Sequence, residues 1–331
     1  MRILSLYLFL CKAVVTCHVY GQDIESSGLE GRFRDEAPLG WNRLKTKHDQ
    51  TCFDWTQTSV KNARGKQTVL NKSGSNCYCG TDFQIRLQED GAVVPEVWGG
   101  NDRYLFTVTR SLESSPWQLR HFGPRSDNSR QNGDVNYGFQ TRHSWCIFDV
   151  PFSVLASDPS FKVESIIQKS DGSVDVSFSV NPSNLNTDER KPDVASGEAS
   201  LLPDRDWAIA SYNVKLIHPN RAEAPVVFAS ASVEYGPEED GFLNIVRTSY
   251  EFHWQAEEGK RATTLERDIK CRPCKLSPES FTLAAFDVPE PALLSESNAR
   301  SKSWLLWLNI TAIVFLVLAF ILRSRLKNRE A

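Results

Sequence analysis

Nine consecutive residues, Val246 to Trp254, read VRTSYEFHW and alternate without a break. Val246, Thr248, Tyr250, Phe252 and Trp254 fall on one side, and Arg247, Ser249, Glu251 and His253 on the other. A period of two puts the apolar set on one face of a strand and the polar set in water, whereas a helix repeats its faces about every 3.6 residues. The same alternation recurs at Ala208, Ala210, Tyr212, Val214 and Leu216, and again at Val227, Ala229, Ala231, Val233 and Tyr235. Tyr104, Phe106 and Val108 mark a further strand. Between Val163 and Val180 two strand-like runs flank Ser170-Asp171-Gly172-Ser173, a hairpin signal because Asp and Gly accept positive φ, and Asp90-Gly91 after DFQIRLQE is a second. Strands with one wet face build antiparallel sheets.

Helical signals are few. Residues 149–157 have Asp149 placed to cap and Pro151 in the first turn, and 41–63 carries a poor helical pattern. The polar segments 125–134 and 183–198 read as loops, and neither divides two composition regimes. The expected fold is therefore mainly β: a large curved antiparallel sheet with few short helices over residues 51–291, two domains being the alternative. Residues 22–50 form an N-terminal segment ahead of it.

The two ends place that body. Arg2, an apolar run from Ile3 to Leu10, and small residues at Val19 and Gly21 form a signal-peptide pattern over residues 1–21. Trp304 to Leu322 is an uncharged run of nineteen residues. At about 1.5 Å per residue it matches the bilayer's hydrocarbon core as a transmembrane helix. Trp304 and Trp307 suit the outer headgroup boundary, and Arg323 and Arg325 begin a basic tail, 323–331, whose charge directs the C-terminus to the cytoplasm. Residues 292–303 link body to span. The expectation is a single-pass cell-membrane protein with its body exported. With 38 basic and 41 acidic residues the chain has no field for nucleic acid.

Export changes the reading of the cysteines. Cys11 and Cys17 leave with the signal, so Cys52, Cys77, Cys79, Cys146, Cys271 and Cys274 remain as disulfide candidates in an oxidising compartment. Cys77 and Cys79 point the same way in a strand and pair better elsewhere, Cys52 being a natural partner for one. Four thiolates would suffice for zinc, but the pairs lie far apart in sequence and oxidation competes, so no metal is expected. The pair in DIKCRPCK has the spacing of a redox dithiol, yet Pro278 follows where the required helix should start, and Phe281 to Phe286 reads as extended. No nucleophile elbow, zinc-binding His pair, P-loop or dinucleotide fingerprint occurs, and no cofactor is expected. His121 and His143 flank one polar loop. Glu238 to Asp240 reads as a solvated acidic turn.

The stretches GGNDRYLFTVTR, LLPDRDWAIASYNVKL, NIVRTSYEFHW and LSPESFTLAAFDVPEP together resemble uncharacterised bacterial envelope proteins distantly similar to periplasmic lipoprotein-carrier half-barrels. Asp204 and Asp206 match that group's aspartate-rich turn, and Pro278, Phe281 and Leu283 its closing P-x-x-F-x-L form. The resemblance implies a curved sheet around an apolar cavity, so Tyr250, Phe252, Trp254, Tyr212 and Val214 become ligand-face candidates. The expected function is a membrane-anchored exported binding or structural protein of the cell envelope, with a hydrophobic ligand or envelope protein as partner. The alternative is an envelope thiol-disulfide oxidoreductase using Cys271 and Cys274.

Overall fold

A computed structural model describes residues 28–290 apart from positions 64, 90–94, 113, 126–138, 182–192, 219–223, 239–242 and 257–258. The signal segment, the Asp90-Gly91 hairpin, the linker, the apolar C-terminal run with Trp304, Trp307, Arg323 and Arg325, and the basic tail lie outside the described residues. Among the described residues no helix is long and apolar enough to cross a membrane.

Among the described residues fifteen strands follow the N-terminal helix. The first six are β1 (Thr51–Ala63), β2 (Lys66–Cys79), β3 (Asp82–Glu89), β4 (Glu96–Gly100), β5 (Tyr104–Thr109) and β6 (Gln118–Pro124). A short hairpin, β7 (Cys146–Ile147) and β8 (Val150–Pro151), precedes β9 (Lys162–Gln168), β10 (Val174–Ser179) and β11 (Asp193–Leu202). The chain continues through β12 (Ala208–Ile217), β13 (Val227–Tyr235), β14 (Ile245–Ala256) and β15 (Gly259–Pro273). Thirteen of them form one antiparallel sheet in the order β6-β5-β4-β3-β2-β1-β15-β14-β13-β12-β11-β10-β9. Every neighbour is also a neighbour in sequence except one pair. β15 returns to lie beside β1, from Thr51↔Pro273 to Asn62↔Ala262, and so joins two meanders into one sheet.

The expected strands are present, including the hairpin at Gly172, whose φ is 85° and where Asp171 Oδ1 accepts from Ser173 N at 2.9 Å. Three expectations are corrected. Residues 193–198, read as part of a polar loop, open β11. The short helix α2 is Phe152–Ser157, with Pro151 rather than Asp149 at its N-cap. Phe281 to Phe286, read as extended, lies instead in two 3-10 turns, Pro278–Phe281 and Leu283–Phe286.

The largest departure is the N-terminal segment. Residues 28–48 form a helix, α1, and β1 occupies most of the stretch where a helix was read. Leu29, Phe33, Ala37, Trp41, Leu44 and His48 recur at spacings of four, four, four, three and four, and all are buried. That stripe is the core face of an amphipathic helix, and the exposed face carries Glu30–Arg34 and Arg32–Glu36 pairs one turn apart. The stripe packs with Trp145, Ile147, Phe152 and Leu155, and with Tyr212, Val214 and Tyr250 from the sheet, as one core.

The turn after β11 holds α1 in place. Asp206 and Trp207 both adopt positive φ, 57° each, in the aspartate-rich segment. The Asp206 carboxylate accepts from Arg43 Nε at 2.8 Å and Lys47 Nζ at 3.3 Å. Trp41 Nε1 donates to Trp207 O at 2.8 Å, and Trp207 Nε1 donates to Glu36 Oε2 at 3.3 Å. Gly40 faces the Asp206 carbonyl so closely that a Cβ there would collide with backbone. Gly40→Ala should therefore lower stability by ~1–3 kcal/mol in urea unfolding, as overpacking does, and an unchanged midpoint would show that helix and turn are not in contact.

Candidate functional site

The face of the sheet that α1 covers is an interior. Of the ligand-face candidates, Tyr212, Val214 and Tyr250 are buried, whereas Phe252 and Trp254 are half-buried where the aromatic row runs out toward Phe148. The row is part of the molecule's own core. Polar groups lie within it at the β1–β15 seam. Arg267 stands opposite Gln57 in the register, donates to Gln57 Oε1 from Nε at 3.2 Å and Nη2 at 2.6 Å, and stacks 4.0 Å from the Trp55 ring centre. Burial pulls its pKa down to about 9, which leaves it cationic at neutral pH. His143 lies parallel to Tyr250, and its Nδ1 is 3.1 Å from Tyr212 Oη. His121 is exposed, so the two histidines singled out from the sequence differ in environment.

Among the described residues the cysteines resolve into two bridges and two thiols. Cys52 and Cys77 face each other across β1 and β2 and are bonded, and Cys79 reaches over β1 to Cys274, 195 residues away in sequence. Cys146 and Cys271 are not in a disulfide. The two cysteines of DIKCRPCK are therefore not a redox couple: Cys274 is committed to Cys79, and Cys271 faces inward. Its Sγ is 3.4 Å from Ile245 O, and burial pushes its pKa up to about 11. A small cavity of about 70 Å3 at that end has Cys271, His48 and Trp145 in its wall, little more than room for a few waters. Among the described residues no His, Cys, Asp and Glu group is arranged to hold a metal.

The opposite, outer face is covered only in part. Phe281 caps the Cys52–Cys77 bridge, and the segment 278–286 is tied down by Gln84 Nε2 to Ser280 O at 3.0 Å, Asn101 Nδ2 to Phe281 O at 3.2 Å and Leu283 N to Tyr104 Oη at 3.2 Å. Pro278, Phe281 and Leu283, the closing form in the sequence, make this strap. It ends with Phe286 against Phe106 and Trp117, at ring separations of 5.7 and 5.3 Å.

Beyond Trp117 a groove of about 1000 Å3 opens over β1–β4, β15 and the 110–117 connection. The side chains that alternate with Trp55 give it a polar floor: Asp54 and Thr56 of β1, Ser73 and Ser75 of β2, Arg86 and Gln88 of β3. Val97, Leu112, Trp117 and Val246 supply apolar wall. Gly74 admits the Trp55 ring beneath this floor, because a Cβ there would meet that ring. The charges are unevenly matched. Asp54 is held by Arg272 Nε at 3.1 Å and Asp268 by Arg247 Nε at 2.7 Å, whereas Arg86 Nε donates only to the neutral Gln84 Oε1 at 2.9 Å. Arg110 stands 4.7 Å from the Trp117 ring centre. No single stretch of sequence announces this site, because its residues come from six strands and a loop.

No protein-family model and no curated protein matches the sequence. Solved structures do. A DUF1329 family protein from Desulfovibrio piger matches with a TM-score of 0.39 at 10% identity, over 76% of this chain and 99% of its own. A domain assigned to an outer membrane lipoprotein-sorting protein from Vibrio parahaemolyticus gives 0.42 at 8% identity, over 76% and 99%. A LolA superfamily protein from Nitrosomonas europaea gives 0.38 at 9%, over 73% and 96%. The resemblance is to lipoprotein-carrier-like domains. It is the group to which the sequence stretches pointed.

Two outcomes follow from the buried groups. Burial first, then Arg267 and Arg142, push the His143 imidazole down to about 3, against about 6.5 in an unfolded chain. The unfolded state therefore takes up the proton first, and this contribution to stability is complete above about pH 6.5 and lost toward pH 3, by up to ~1.4 kcal/mol per pH unit. His143→Gln should flatten the decline in urea stability between pH 6.5 and 5, and an unchanged slope would contradict a neutral buried imidazole. Alkylation at pH 8 should modify Cys271 far more slowly in the native protein than in the unfolded, unreduced chain, where two thiols react. Fast native labelling of Cys271 would restore the dithiol reading.

Proposed function

We propose that the chain is an exported, single-pass membrane-tethered binding protein of the cell envelope, and that its ligand, a molecule with an apolar body, lies in the outer-face groove. The groove is the observation that carries this reading: its volume matches small-molecule sites, which combine apolar walls with a few placed polar groups. The curved half-barrel implied by the resemblance accords with it once α1 is taken as the filling of the half-barrel's interior. That moves the ligand from the inner face to the outer. Export is supported by the N-terminal signal pattern and by two disulfides, which persist in oxidising compartments. Tethering is supported by Trp304 to Leu322 and the basic tail that begins at Arg323.

The test uses the full-length chain in lipid nanodiscs, with empty discs subtracted. The neutral apolar dye N-phenyl-1-naphthylamine should bind saturably at one per chain, and Ser75→Trp, which fills the groove, should weaken it at least ~10-fold, the scale of a lost apolar pocket contact. No saturable signal above empty discs, or equal binding by a folded Ser75→Trp protein, would overturn the reading.

A further inference from the structure

One hairpin of the sheet carries a charge that the chain as a whole lacks. From Trp55 to Thr81 the sequence has no acid and four bases, Lys61, Arg64, Lys66 and Lys72, in a protein of 38 basic and 41 acidic residues. These residues make most of β1, all of β2 and the turn between them. The hairpin is also bare. β3 pairs with β2 from Cys79↔Asp82 only as far as Lys72↔Glu89, whereas β2 runs on against β1 to Ala63↔Lys66. Among the described residues no strand lies on the other side of Lys66 to Asn71, and at about 3.3 Å per residue that open edge is about 20 Å long.

The tip is wet and partly apolar. Lys61 to Ala63 and Lys66 to Asn71 are all exposed. Val69 and Leu70 are 55% and 39% exposed and, as successive strand residues, point to opposite faces, so neither face is closed over there. Leu70 stands opposite Ser59, Lys66 opposite Ala63, and both therefore share a face with Lys61. The acids nearby lie elsewhere. Lys61 faces Thr68 and Thr263 across the sheet, so no acid stands opposite it or Lys66. Lys72 faces Glu89 and is left out of the site. In the next hairpin Glu251 Oε1 is 3.0 Å from His253 Nε2, and Glu266, opposite Thr58, is on the face away from Lys61. Glu257 and Glu258 are matched in number by Lys260 and Arg261.

We infer that the tip of the β1–β2 hairpin is a lipid-contact surface: Lys61 and Lys66 bind anionic phospholipid head groups, and Val69 and Leu70 enter the apolar boundary beneath them. A lysine near an anionic bilayer is attracted to it, and apolar side chains at the headgroup boundary hold what the charge brings in. An acidic protein would offer the same charge, but lysine on an open edge opposes the addition of another strand. The choice of a membrane rests on the proposed tether, which keeps one at hand: from Glu290 to Trp304 the extended chain reaches at most about 50 Å.

The test places an environment-sensitive nitrobenzoxadiazole dye on Gln67→Cys in the full-length chain, with the unsubstituted chain, treated alike, as background. The protein is put into nanodiscs of phosphatidylcholine alone or with phosphatidylglycerol. The dye should brighten and shift to the blue only in the anionic discs, and the response should weaken in high salt. It should be lost in Lys61→Gln/Lys66→Gln and in Val69→Ser/Leu70→Ser. Equal emission in both discs, or a response that survives the lysine variant in folded protein, overturns the inference. Polyglutamate that gives the same response in neutral discs points to an acidic protein and overturns the lipid as partner. The tether is read separately, by whether the chain co-elutes with the discs. If it does not, the dye is read on vesicles with and without phosphatidylglycerol: a response to the anionic vesicles upholds the contact without the tether, and none overturns it.

Discussion

The structure depends on the docking of α1 against the sheet. A thirteen-stranded sheet has an apolar face too long to leave in water, and Tyr212, Val214, Ala229, Ala231 and Tyr250 would all be exposed on it without a cover. The stripe Leu29, Phe33, Ala37, Trp41 and Leu44 supplies that cover, together with the 145–155 segment. The apolar surface removed from water is the largest stabilising term available to such a fold. Specific contacts fix the position: Trp41 to the Trp207 carbonyl, Arg43 and Lys47 to Asp206, and the close approach at Gly40. With the helix in place, the covered face is core and the other face is where a ligand can reach.

What the sequence revealed follows from what is local. Period-two alternation exposed β12, β13 and β14 because each strand has one wet face, and Asp171-Gly172 exposed a hairpin because a turn is a matter of adjacent residues. The helix was missed although its stripe is regular, since Pro38 and Gly40 stand inside it and both disfavour helix. The neighbouring turn and the core outweigh that local preference. Phe281 to Phe286 reads as extended from its own residues, whereas Ser280, Phe281 and Leu283 are held by Gln84, Asn101 and Tyr104 of the first meander, far away in sequence.

The cysteines make the same point chemically. Cys52 with Cys77 could be anticipated, because neighbouring strands bring them opposite each other. Cys79 with Cys274 could not, because the bridge depends on β15 coming back beside β1 after 195 residues. That return also assembles the groove. Asp268, Lys270 and Val246 reach the rim of a surface built mainly from the first meander, and the Cys79–Cys274 bridge anchors the start of the strap whose last residue backs Trp117. A polar outer face looks ordinary in sequence. Here Arg86 donates from Nε to the neutral Gln84 Oε1, while Asp54 and Asp268 are held by Arg272 and Arg247.

The central claim is that the inner face is structural and the outer groove receives the ligand. Photo-crosslinking decides between the faces most directly: a ligand with a diazirine in its apolar body is irradiated on the full-length protein, and the adducts are mapped by mass spectrometry. The account predicts adducts on Val97, Leu112 and Trp117. Adducts on Tyr212, Tyr250 or Trp41 instead would show that α1 yields the interior to the ligand, and would contradict it.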